Sequence, residues 1–165
     1  MTRKYILDTN LYIDAIRHQE REVALNKFLE RNAPVTHMSA VVMQELRAGA
    51  VTDSQAKALQ DGIFSGFERR NRIATPSTAA FKECGRILAA FFRQDGLPYR
   101  DRPRSLVNDI LIAITCQENG LTLVTSDGDF KLIRPHLRGF SYLPPWPADP
   151  ELPPPRPKAR RFRQP

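Results

Sequence analysis

Five acidic residues stand where an ordinary soluble domain has little use for them. Asp8 closes the apolar run "YIL" and is followed by Thr9 and Asn10. Glu45 lies in "VVMQELRAG" and Asp109 in "SLVNDILIAI", each with apolar residues immediately around it. Asp127 and Asp129 follow "LTLVT" in the segment "SDGDF". A carboxylate bordering a buried stripe is costly unless something positive faces it.

Each acid also has a local explanation. Asp8 could cap a helix that begins near Asn10. Arg47 could pair with Glu45, and Arg100, Arg102 or Arg104 with Asp109. Asp127 and Asp129 could simply shape a turn, because "SDGD" is good turn chemistry. These readings explain the acids one at a time, through unrelated coincidences at comparable positions. A divalent cation explains them together. Mg²⁺ and Mn²⁺ prefer hard oxygen ligands, and a few carboxylates with water are enough to bind them. Thr9, Asn10 and Thr125 are short polar groups able to orient such ligands.

The elements that must carry these residues read as alternating strands and helices. "KYIL" and "LTLVT" are short apolar strands, and "APVTHMS" and "NRIATP" add two more. Helices are predicted over "NLYIDAIRH", "EREVALNKFLERN", "AVVMQELRAGA" after a Ser39 cap, and "STAAFKECGRILAAFFRQDG" between Ser77 and Gly96. "TDSQAKALQDGIFSGFERR" is helical with an interruption near Gly62 or Gly66. A further helix starts on a Ser105 cap, turns Leu106, Ile110, Ala113 and Ile114 to one face, and stops at Gly120. A short helical turn and "GFSYLP" follow the last acids. Such alternation indicates an α/β fold, an α/β/α sandwich around a mostly parallel central sheet. In such sheets functional groups gather beyond the carboxyl ends of the strands, where Asp8 and Asp127 fall.

Composition narrows the class. At 165 residues the chain can build one core unaided. It lacks the ~18-residue apolar run of a membrane span. Asp8 interrupts what would be the apolar core of a signal peptide, so a cytoplasmic location is expected. Two cysteines, Cys84 and Cys116, make no disulfide framework. The net charge is +7, and residues 151–165 contribute five basic residues against one acid. A basic surplus favours a polyanionic partner, nucleic acid before membrane. No nucleophile elbow, phosphate-binding glycine loop or complete EF-hand loop occurs. His18, His37 and His136 are scattered and read as ordinary surface or core histidines.

Three segments in this order, "YILDTNLYID", "SAVVMQELRAG" and "NDILIAITCQENGLTLVTSDGDF", resemble the PIN domain, and within it the VapC-type toxins of bacterial toxin–antitoxin pairs. The resemblance covers roughly residues 4–143 and implies a Mg²⁺- or Mn²⁺-dependent endoribonuclease. Its acidic set would be Asp8, Glu45, Asp109 and Asp127, with Asp129 an alternative to Asp127, which lies closer to the strand end. It also implies an antitoxin partner and a homodimer. Other readings are a structure-specific DNA nuclease, whose usual extra DNA-binding elements do not show in this chain, and a non-catalytic RNA-binding or scaffold module, which would be expected to lose the acids. Removing a carboxylate from such a repulsive cluster should leave metal-free stability unchanged or improved.

The resulting organisation is a PIN-like nuclease domain over 1–143 and a Pro/Arg-rich extended or disordered tail over 144–165. Arg100, Arg102 and Arg104 beside the site, and Arg160, Arg161 and Arg163 in the tail, are candidate RNA phosphate contacts. A passive solubilising tail and a docking segment are the alternatives.

Overall fold

Four residues suffice for each inner strand because the flanking helices bury both faces. In the computed structural model, which describes residues 2–96 and 104–146, β1 (Lys4–Leu7) is buried from Tyr5 onward and β4 (Leu121–Val124) is buried throughout. Continuous apolar runs of this kind are what a parallel sheet covered on both sides demands. Beside them lie β2 (Thr36–Ser39), β3 (Ile73–Ala74) and β5 (Ser141–Leu143). The order is β3-β2-β1-β4-β5, and every pairing is parallel. The sheet is therefore wholly parallel, where the sequence indicated mostly parallel.

The helices are α1 (Thr9–Arg17), α2 (Gln19–Asn32), α3 (Ala40–Gly49), α4 (Asp53–Leu59), α5 (Ser65–Glu68), α6 (Thr78–Asp95), α7 (Arg104–Glu118) and the single turn α8 (Phe130–Ile133). Ser39 caps α3 by accepting from the Val41 N–H at 3.2 Å. Ser77 caps α6 in the same way from Ala80, and Gly96 ends that helix at φ +70°, a conformation that favours glycine. The expected interruption near Gly62 is a π-helical turn, Gln60–Phe64, joining α4 to α5.

Three local expectations shift. The segment "APV" is a 3-10 turn, so β2 begins only at Thr36. Helix α7 starts at Arg104, which places Ser105 inside the helix rather than at its cap. Its middle is buried all round, from Ile110 to Cys116, not on one face. Contacts with α3, α6, α8 and β4 enclose it.

The chain continues as part of the domain past residue 143, because Trp146 packs on Phe28 with ring centroids 5.6 Å apart. Cys84 and Cys116 are free and buried. Among the described residues no helix is long and apolar enough to cross a membrane.

Candidate active site

Register puts the first acid in its place. Leu7 of β1 pairs with Val124 of β4, so the residues just beyond, Asp8 and Thr125, leave the sheet side by side. The Asp8 N–H donates to the Val124 carbonyl at 3.0 Å, and the Thr125 N–H to the Leu143 carbonyl at 3.0 Å, extending the ladder into the site. Asp8 does occupy the N-cap position of α1, but its side chain also reaches across the sheet. Its Oδ1 accepts the Thr9 N–H at 2.8 Å, and its Oδ2 accepts Asn10 Nδ2 at 2.9 Å and the Thr125 hydroxyl at 2.6 Å. It is only 4% exposed.

Glu45 comes in on α3, which leaves β2 directly after Ser39. Thr9 Oγ1 donates to Glu45 Oε2, and Asn108 Nδ2 donates to Oε1 at 2.8 Å. Arg47, the local partner considered for Glu45, instead donates to the Ala50 carbonyl at 3.1 Å. Asn108 escapes a sequence reading, because its role depends on how α3 meets α7 and not on any spacing. The one available signal is its position directly before Asp109.

Asp109 follows on α7, half-buried, and Asp127 and Asp129 arrive on the loop after β4. The Asp127 N–H donates to Thr125 Oγ1 at 2.9 Å, and Asp127 Oδ1 accepts the Asp129 N–H at 2.8 Å. The turn reading of "SDGD" therefore holds for one oxygen of Asp127. Asp127 is partly buried and Asp129 exposed. Arg100, Arg102, Arg160, Arg161 and Arg163 lie outside the described residues, and of Arg104 only the backbone is described.

The acids are close enough to perturb one another. Burial pushes the Asp8 carboxyl up to about 6; the bonds from Thr125 and Thr9 pull it back, and the charges of Glu45 and Asp127 add to the rise. Asp109 is pushed up to about 7, first by burial and then by the charges of Asp8, Asp127, Glu45 and Asp129. The ion pairs Lys57–Asp61 and Glu83–Arg86 lie away from this cluster, and no described Lys, Arg or His pairs with its acids.

The donor set suits a hard divalent cation, being all oxygen and mostly anionic. Asn10 Oδ1 adds a buried acceptor without a hydrogen-bond partner. Among the described residues no three His, Cys, Asp or Glu side chains converge as a ready-made cage.

A family model described as the PIN domain matches residues 5–134. The chain belongs to the PIN domain family. Solved structures with the same fold include VapBC2 from Rickettsia felis bound to a promoter DNA fragment. It is 24% identical with a TM-score of 0.57, over 87% of this chain and 98% of that one. DNA-bound VapBC from Salmonella typhimurium is 22% identical with a TM-score of 0.60, over 87% and 98% of the two chains. FitAcB from Neisseria gonorrhoeae is 19% identical with a TM-score of 0.58, over 84% and 95%. No curated protein sequence matches the chain. In this PIN domain, the match spans Asp8, Glu45, Asp109, Asp127 and Asp129.

Proposed function

We propose that this PIN domain is a Mg²⁺- or Mn²⁺-dependent endoribonuclease, the toxin of a type II toxin–antitoxin pair, acting in the cytoplasm. The observation that carries this reading is the acidic cluster at the carboxyl ends of β1 and β4, with no cation of the described chain to neutralise it. Asp8, Glu45, Asp109 and Asp127 would hold the metal, with Asp127 preferred to the more exposed Asp129. A bound divalent cation supplies a water of lowered pKa and neutralises charge on a phosphate oxygen.

The chain's own residues prepare that chemistry. Thr9 divides its groups between two acids, its N–H going to Asp8 and its hydroxyl to Glu45, so both carboxylates are aimed from one point. Asn10 and Thr125 fix the other oxygen of Asp8, and Asn108 fixes the other oxygen of Glu45. Without a cation, burial and the neighbouring carboxylates hold the Asp109 carboxyl up at about 7; a bound divalent cation would remove that penalty and keep it ionised. Arg100, Arg102 and Arg104 would grip flanking phosphates and carry no sequence information.

Support for a protein partner comes from the neighbours, which include VapBC assemblies and a toxin–antitoxin complex from Klebsiella pneumoniae. We assign the chain an antitoxin on the same ground; a homodimeric state follows only from the resemblance to VapC-type toxins, and a nuclease unit followed by a Pro/Arg-rich tail from the change in sequence composition. The test is incubation of the purified chain with RNA and with single- and double-stranded DNA, with and without Mg²⁺ or Mn²⁺. Internal cuts in RNA alone support the proposal; metal-dependent cutting confined to DNA supports the DNA nuclease instead.

A further inference from the structure

A cavity of about 210 Å³ lies between α1, α2 and the segment running from the π-helical turn through α5 to Arg72. None of the acids of the candidate active site lines it. Leu25, Leu29, Ile63 and Phe67 make its wall apolar, and its charged members are Arg70 and Arg72. Tyr12 lines it as well, 1% exposed, and the Tyr12 hydroxyl is buried without a hydrogen-bond partner among the described residues. Burial raises the pKa of that hydroxyl, so it stays protonated and able to donate. A buried hydroxyl with nothing to bond costs stability, and so calls for an explanation. The arginines are only partly engaged. Arg70 Nη1 donates to the Gly66 carbonyl at 2.9 Å, and Arg72 Nη1 donates to the Ala33 carbonyl. No described carboxylate pairs with either guanidinium, so both keep donors for a ligand. Gly62 and Ile63 of the lining belong to the π-helical turn, a distortion found frequently at functional sites.

We infer that this cavity binds a small organic acid, with its carboxylate on Arg70 and Arg72 and its apolar body running inward to a polar group that meets the Tyr12 hydroxyl. Charge selects an anion, because the lining holds two arginines and no acid. The planar fork of an arginine matches a carboxylate. Exposure sets the direction: Arg70 is exposed, Arg72 half-buried and Tyr12 buried, so the charged end stays at the mouth. Size sets the limit. Pockets that enclose drug-sized ligands run to about 300–1,000 Å³, so this smaller one suits about ten non-hydrogen atoms and is too small for a nucleotide. Binding here does not depend on the acidic cluster, and it stands or falls apart from the nuclease reading.

The test titrates para-hydroxyphenylacetate, a probe of this size and polarity, into the full chain by calorimetry at low salt. Saturable binding is expected. Phenylacetate, which lacks the inner hydroxyl, should bind about 3–10-fold more weakly, and the uncharged para-hydroxyphenylacetamide about tenfold or more. Tyr12→Phe removes only the oxygen that lacks a partner, so the ligand-free melting temperature should stay level or rise. In that variant the two acids should bind alike. Changing Arg70→Gln and Arg72→Gln together should weaken the acid to the level of the amide and leave the amide as it was. No saturable heat, equal affinity for acid and amide, or a Tyr12→Phe protein that still prefers the hydroxylated acid would overturn the inference. A lower melting temperature in ligand-free Tyr12→Phe would show the hydroxyl already bonded by water, and would overturn it equally. Acetate competing as well as the probe would reduce the cavity to adventitious anion binding and also overturn it.

Discussion

Asp8 and Asp109 carry the same functional group in opposite settings. Asp8 accepts from Thr9, Asn10 and Thr125, whereas no described donor reaches Asp109. The expectation that losing a carboxylate is harmless to metal-free stability therefore suits Asp109 and not Asp8. Asp109→Asn should leave the metal-free melting temperature at pH 7.5 unchanged or raised. Asp8→Ala should lower it, because each buried donor left without an acceptor costs about 1–3 kcal/mol. Calorimetry on the two variants decides this, and equal losses would count against the hydrogen-bond account. The pH dependence follows from the same pair. Both carboxyls sit above the ordinary aspartate value of 3.8, at about 6 and about 7, so between about 4 and 7 the folded protein binds more protons than the unfolded chain. Their contribution to metal-free stability therefore falls as pH rises from about 4 to about 7 and levels off above. Melting curves across that range should show a shallower fall for Asp109→Asn than for the unmodified protein; parallel curves would show that Asp109 titrates normally.

Elements explain why so much of this was legible and where it stopped. "KYIL" and "LTLV" declare themselves because buried parallel strands need continuous apolar runs, and an acid after such a run has few reasons to be there. β2 is shorter than its sequence suggests because Ala33–Val35 turns before the strand begins. The one-face pattern assigned to α7 fails because neighbours on every side bury Ile110 to Cys116, and burial all round leaves no amphipathic signal. Asn108 was invisible for a related reason: it meets Glu45 only when α3 and α7 pack together. That contact makes a prediction at this scale. Asn108→Ala should reduce cleavage about 10–100-fold, as expected when a residue orienting a metal ligand is lost, with the far-UV spectrum unchanged. Full activity in a folded Asn108→Ala protein would show that Glu45 needs no such support.

At the scale of the whole molecule, the architecture is less informative than the site set on it, since likeness to solved structures at 18–24% identity shows the fold alone. The shift to Pro-rich sequence begins at Pro144, yet Trp146 still packs against the core. Which partner covers the molecule is a property of surfaces and lies beyond sequence patterning. Expression of the chain alone in a bacterial host should arrest growth, and Asp109→Asn should relieve the arrest at equal protein level. Unimpaired growth with abundant folded protein would remove the toxin assignment while leaving a nuclease possible. The proposal that the carboxylates at the ends of β1 and β4 would hold a divalent cation for RNA cleavage is tested most directly by timing the cleavage of a defined RNA. The unmodified chain and Asp109→Asn are compared at matched folding, with Mg²⁺ and with chelator. The account predicts internal cuts by the unmodified chain in Mg²⁺ alone, and none by the variant or under chelator. Cleavage at an unchanged rate by folded Asp109→Asn, or in the absence of metal, would contradict it.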